Sequence, residues 1–152
     1  MIDGVDLDAL ERWMDGQGLG EGPIANAITL AGGTQNILLR FSRSGRSYVL
    51  RRPPPVLRAN SNETMRREAC VLAALKGSNV PHPELIAACP EEDVIGASFY
   101  LMEPIEGFNA TQGLPALHAG DAAIRHRMGL AMVEAIAALS CVDYRAVGLE
   151  GF

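Results

Sequence analysis

Three consecutive prolines, Pro53, Pro54 and Pro55, constrain the fold of this chain more than any other feature. A proline has no backbone N–H to give to a sheet ladder and its ring fixes φ, so strand pairing has to stop there. The strand signals upstream are thereby confined to the first third of the chain. Ile24–Leu30 and Ile37–Ser42 are strand-like stretches separated by Ala31-Gly32-Gly33-Thr34-Gln35-Asn36. Ser44-Gly45 is a turn signal that leads into a third, Ser47–Arg51. The pattern is an antiparallel meander, not parallel βαβ alternation.

The remaining signals surround that meander. Asp6 can cap a short helix over Asp6–Met14, with Leu7, Leu10 and Trp13 or Met14 on one face. The glycines from Gly16 to Gly22, with Pro23, end it. Beyond the prolines, Asn60 and Glu63 have capping-box spacing and Gly77 supplies a stop, so the spacing predicts a helix from about Ser61 to Lys76. Met65, Glu68, Leu72 and Leu75 fall on one of its faces. Two more apolar runs, Leu85–Cys89 and Ser98–Met102, are joined by the acidic loop Pro90–Gly96. Gly113–Gly120 reads as a linker and Asp121–Val142 as a long Ala-rich helix. The order implies an α+β fold: a five-stranded antiparallel sheet with one packed helix, preceded by a short helix and followed by a long connecting one.

Composition narrows the function classes. The 152 residues are 48% apolar and 20% charged, ordinary values for a folded domain with its own core. A net charge of −5 argues against a surface that coats nucleic acid. The most apolar stretch, Gly129–Val142, contains Glu134 and is too short to span a membrane. Cys70, Cys89 and Cys141 are odd in number and lack metal-ligand spacing, and Asp3, Asp6 and Asp8 interrupt the amino end where a leader would be apolar. A reduced, cytoplasmic protein is the expectation. Of 13 basic residues, Lys76 is the only lysine, so any other site that needs a cation must use arginine.

Three places carry candidate chemistry. The loop Gly32-Gly33-Thr34-Gln35-Asn36 could offer backbone N–H groups and side-chain donors to phosphate oxygens, or be a flexible hairpin turn. It lacks the Walker A pattern, and Glu21 breaks a G-x-G-x-x-G reading of the earlier glycines. In the third strand, alternation puts Tyr48 and Leu50 on one face and Val49 and Arg51 on the other. Glu68 projects from an apolar helix face, where a carboxylate is costly unless paired. Arg51 and Arg52 are the nearest upstream cations; either Arg51 pairs with Glu68, or Glu68 sits at a face boundary and reaches water. Finally, Pro104 ends the strand containing Met102, so backbone groups of Glu103 and Ile105 are offered to a ligand, unless this is an ordinary edge strand.

Taken in order, the glycine-rich hairpin, Tyr48-Val49-Leu50-Arg51, the helix with Glu68, and Met102-Glu103-Pro104-Ile105 resemble the aminoglycoside-phosphotransferase-like family of the protein-kinase-like fold. The resemblance extends over roughly Leu7–Phe152 and implies a nucleotide-binding lobe. In it, Gly32, Gly33, Thr34, Gln35 and Asn36 cover the nucleotide phosphates. Arg51 takes the place of the phosphate-contacting lysine, with Glu68 as its ion-pair partner. Val49 roofs the adenine, Met102 lies behind it, and the Glu103 carbonyl and Ile105 amide meet its edge. ATP or GTP with Mg²⁺ is the implied cofactor, and a small-molecule acceptor the implied partner of the parent.

The family's catalytic loop, of the type H-G-D-x-x-x-x-N, has no match in this sequence. His118-Ala119-Gly120-Asp121 carries an extra residue and is followed by His126 where Asn belongs, so it reads as a linker and helix cap. The expected organisation is a nucleotide-binding lobe over residues 1–107, with 108–152 leading toward a carboxy-terminal lobe that holds the catalytic Asp and the Mg²⁺ ligands. Such a truncated chain would be inactive alone. The alternative is a non-catalytic binding module that self-associates through its uncovered face.

Overall fold

The structure, a computed structural model, describes residues 1, 2, 4–30 and 36–152. Asp6 starts helix α1 (Leu7–Gly16), its Oδ1 accepting from the amides of Asp8 and Ala9 at 3.1 Å each. Strands β1 (Ala25–Thr29), β2 (Ile37–Arg43) and β3 (Arg46–Arg52) form the meander, and Pro53 follows β3 directly. Helix α2 (Ser61–Ala74) and strands β4 (Leu85–Cys89) and β5 (Phe99–Met102) complete a five-stranded antiparallel sheet in the order β1-β2-β3-β5-β4. The central β3 therefore pairs with both β2 and β5.

The pleat sorts residues between two faces. Leu39 and Phe41 of β2, Tyr48 and Leu50 of β3, and Phe99 and Leu101 of β5 are buried together with Leu10 and Met14 of α1. Trp13 meets Phe99 edge-on, with ring centroids 4.8 Å apart. The leading helix thus packs on the sheet, alongside the larger core, in addition to the single packed helix the sequence pattern indicates. On the opposite face, Met65 and Ala69 of α2, with half-buried Leu72, pack against Tyr100, Leu85 and Met102.

Two arginines are buried with the first face. Arg43, at the end of β2, donates from Nε to the Gly22 carbonyl (2.8 Å) and from Nη1 to the Glu11 carbonyl (3.1 Å), and pairs with Asp15. Arg52, at the end of β3, donates to the carbonyls of Pro53, Gly4 and Ile95 at 3.0 to 3.1 Å. They tie the segments before and around α1, and the β4–β5 loop, to the sheet.

Two details at α2 differ from the sequence reading. The helix ends at Ala74, short of Lys76, because Ser78 N bonds the Leu75 carbonyl and Gly77 turns the chain at φ +77°. At its start, Asn60 accepts from Thr64 through its main-chain carbonyl, while Glu63 reaches Arg66 at 3.7 Å.

The chain divides into two compact units, Met1–Ala73 with Pro83–Pro104, and Ala74–His82 with Ile105–Phe152. The second contains α3 (Ala116–Gly120) and α4 (Ala122–Ser140). The stretch read as a linker, Gly113–Gly120, is in part helical. Pro115 precedes α3 and its carbonyl accepts the Ala119 amide at 2.9 Å. Asp121 caps α4, accepting from Ala123 N at 2.7 Å and Ile124 N at 3.2 Å. No residue of α4 is buried; Leu130, Met132, Val133, Ile136 and Leu139 are all exposed. Among the described residues, no helix is long and apolar enough to cross a membrane.

Candidate functional site

The central strand carries the charge that matters here. Arg51 lies between Leu38 of β2 and Tyr100 of β5, and Val49, on the same face, lies beside Met102. This is the face that α2 covers, and Glu68 of α2 projects onto it. Arg51 Nε donates to Glu68 Oε2 at 2.8 Å and Nη2 to Glu68 Oε1 at 3.0 Å, a planar fork of two bonds from two nitrogens that a single lysine ammonium does not reproduce. Tyr100 adds a third bond: its hydroxyl donates to Glu68 Oε2 at 3.0 Å. Of the two readings of Glu68, pairing with Arg51 is the one observed. Arg52, the other cation in range, faces the opposite side of the sheet.

The environment tunes this cluster. Burial on its own would lower the Arg51 pKa, but Glu68 and Tyr100 outweigh it and the value is raised, so the guanidinium stays charged. Burial pushes the Tyr100 phenol well above its ordinary value; Arg51 opposes this and Glu68 reinforces it. Tyr100 is therefore a hydrogen-bond donor at any physiological pH. The Arg51 and Glu68 side chains remain 28% and 31% exposed, which leaves the pair within reach of a ligand from solvent. A fixed, half-exposed guanidinium at the end of a strand is suited to holding anionic oxygens.

The other residues singled out in the sequence are placed as follows. Val49 is buried, and Met102 is half-buried against Met65, Ala69 and Leu72. Glu103 is exposed, with its amide committed to the Glu84 carbonyl at 2.9 Å, so of its backbone groups only the carbonyl is still offered. Ile105 belongs to the second unit and is exposed. Asn36 is half-buried just ahead of β2, and the Leu30 amide bonds the Leu38 carbonyl at 2.8 Å, which extends the β1–β2 pairing by one residue. Gly32, Gly33, Thr34 and Gln35 lie outside the described residues.

Tyr100 is the member that sequence reasoning passed over. The signal was present, because Tyr100 is two residues from Met102 and so shares its face. It needed the β3–β5 register to become visible. A separate cleft of about 280 Å³ lies between α2 and β4, lined by Met65, Ala69, Leu85 and Phe99 among others. Its walls are apolar and do not suit an anion.

The fit to a metal ion is poor in this part of the chain. Among the described residues, no three His, Cys, Asp or Glu side chains gather as a metal site. Glu68 already spends both oxygens on Arg51 and Tyr100.

Comparison with known proteins bears on the same region. The profile of the phosphotransferase enzyme family matches residues 27–152. A crystal structure titled "putative aminoglycoside phosphotransferase", from Ralstonia eutropha JMP134, is 33% identical. It superposes with a TM-score of 0.74 over 95% of this chain and 41% of its own. Acyl-CoA dehydrogenase family member 10 of Mus musculus is 29% identical over 97% of this chain. Acyl-CoA dehydrogenase family member 11 of Gallus gallus is 31% identical over 79%. The chain spans only 14% and 15% of the length of these two relatives.

Proposed function

The chain belongs to the phosphotransferase enzyme family, and from that premise we propose that its first unit is the nucleotide-binding lobe of an ATP- or GTP-dependent small-molecule phosphotransferase. The observation that carries this reading is the two-point Arg51–Glu68 contact at the end of the central strand. In this role Arg51 binds phosphate oxygens of the nucleotide, and Glu68 holds the guanidinium plane. Val49 and Met102 supply apolar contact to the base, and the Glu103 carbonyl accepts from its edge. The donor-rich composition of residues 32–36 suits contact with the phosphates. Mg²⁺, when bound with the nucleotide, neutralises phosphate charge. Its ligands and the aspartate that orients the acceptor hydroxyl belong to polypeptide other than the described residues. The dehydrogenase named in the relatives describes proteins far longer than this chain, and is not carried over to it.

Titration of the chain with MgATP and with MgGTP, followed by calorimetry, tests the reading. Saturable binding of at least one, weakened by Arg51→Ala, is the expected result. No binding of either at millimolar concentration refutes it. A second reading, a self-associating binding module, draws support from the exposed apolar residues of α4. Sedimentation separates the two: a dimer with no nucleotide affinity selects the second.

A further inference from the structure

We propose that Tyr100 is the positioning residue of this site: its hydroxyl locks the Glu68 carboxylate in the one orientation that lets both oxygens grip Arg51. This deepens the phosphotransferase reading and rests on it for its functional consequence, though not for its geometry.

An ionised carboxylate only accepts hydrogen bonds, and its plane is free to turn about the last side-chain torsion. For Arg51 to bond through Nε and Nη2 together, both Glu68 oxygens must lie in the guanidinium plane. Two bonds from one planar partner do not prevent the two planes from rocking apart. A third donor outside the guanidinium does. Tyr100 provides it, bonding the same Oε2 that Arg51 Nε bonds, from the neighbouring strand.

The platform beneath Tyr100 is rigid. Its ring is buried with Met65 and Ala69 of α2, and its backbone is registered directly against Arg51 of β3. The three side chains thus come from three elements, β3, α2 and β5, and each restricts the other two. The hydroxyl has a single proton, and the elevated Tyr100 pKa keeps it in place. Orientation matters more for this chain than for one with a lysine at the same position. An ammonium is a point charge that tolerates rotation of its partner, whereas a guanidinium presents phosphate oxygens with a fixed fork. A site that uses arginine gains from a device that fixes the plane of that fork, and Tyr100 is placed to do so.

The test is the Arg51 Nε–Hε resonance of the labelled chain, identified by its loss in Arg51→Lys. It is read in wild type and in Tyr100→Phe, which keeps the buried ring and removes only the hydroxyl. The expected result is a resolved, slowly exchanging wild-type signal that broadens or moves toward the position of solvated arginines in the variant. The backbone amide spectrum should be retained. An unchanged Nε–Hε signal in Tyr100→Phe overturns the proposal. In parallel, the dissociation constant of whichever of MgATP and MgGTP binds wild type should rise about tenfold in the variant, the weight of one hydrogen bond to a charged group. A perturbed signal with unaltered affinity overturns the functional half. If wild type binds neither MgATP nor MgGTP, the phosphotransferase reading falls, while the Nε–Hε signal still decides whether Tyr100 positions Arg51.

Discussion

Cutting the Arg51–Glu68 pair from both sides gives the sharpest test of the site as a physical object. Two unit charges about 4 Å apart attract by about 4 kcal/mol at an effective dielectric of 20, and by about 1 kcal/mol in bulk water. The side chains are 28% and 31% exposed, so the pair lies between those limits. Freely exposed ion pairs couple by about 0 to 1 kcal/mol. This one has two short bonds, of 2.8 and 3.0 Å, and its carboxylate is held from a third direction by Tyr100. Less side-chain entropy is then lost when the pair forms. A coupling energy of about 2 kcal/mol follows, below the full Coulomb value because water still reaches both groups.

The assay is urea unfolding of wild type, Arg51→Ala, Glu68→Ala and the double variant, read by Trp13 fluorescence. Trp13 is the only tryptophan and packs on Phe99, so it reports on the unit that contains the pair. The double variant should be about 2 kcal/mol more stable than the summed single losses imply, with the slope against urea unchanged. Raising the salt to 1 M should trim the coupling without abolishing it, since partial burial limits screening. A coupling below about 0.5 kcal/mol would make the pair a screened surface contact and refute the reasoning.

Three further outcomes follow from the same structure. The folded-state pKa of Tyr100 is raised above its unfolded value near 10, so the unfolded chain releases that proton first. The Tyr100 contribution to stability is therefore complete below pH 10 and declines above it, by about 1.4 kcal/mol per pH unit. Tyr100→Phe should lack that part of the decline, and identical slopes for the two proteins between pH 9.5 and 11 (a range of about one and a half units) would contradict the assignment. Cys89 is buried, and burial together with Glu91 pushes its thiol up to about 11, so alkylation at neutral pH should modify the exposed Cys70 and Cys141 and spare it. Mass spectrometry showing three equally fast thiols would count against this. Arg43→Met removes the donors to the Gly22 and Glu11 carbonyls and leaves the exposed Asp15 to water, at a cost of about 2 to 4 kcal/mol that comes from the two carbonyls. A loss under 0.5 kcal/mol (roughly the scatter of surface substitutions) would mean those carbonyls find water instead.

Much of the sheet could be read from local rules, and the places where reading failed share a cause. The triple proline, the Ser44-Gly45 turn and the alternation in Ser47–Arg51 all act within a few residues, and β2 and β3 follow them closely. The docking of α1 could not be read in this way. Asp6 and the Leu7, Leu10, Met14 spacing announce an amphipathic helix, but nothing local says which surface that helix will cover. The partner surface is made of Leu39, Phe41, Leu50 and Leu101, drawn from three strands. Arg43 and Arg52 are a stronger case. By residue type they belong at the surface, yet both are 3% exposed, because each meets backbone carbonyls from distant segments. Composition also overstated the core. An apolar content of 48% suggests an ordinary interior, but α4 places five large apolar residues on exposed surface. A percentage counts residues and says nothing about whether each finds a partner.

The choice between Arg51 and Arg52 shows how little separates a site residue from a structural one. The two are adjacent, chemically identical and both near the end of β3. Period-2 geometry sends Arg51 toward α2, where Glu68 and Tyr100 meet it, and sends Arg52 among the carbonyls of Gly4, Pro53 and Ile95. Burial lowers the pKa of Arg52, while the partners of Arg51 raise its own. One holds the fold together with its charge fully enclosed; the other keeps part of its charge exposed to a ligand. A one-residue slip of β3 would exchange them, bringing Arg52 round to Glu68 and turning Arg51 into the apolar face. Tyr48 and Leu50 oppose that slip, since it would also move both out of the core they share with α1. The burial of α1 on one face thus fixes which arginine Glu68 receives on the other.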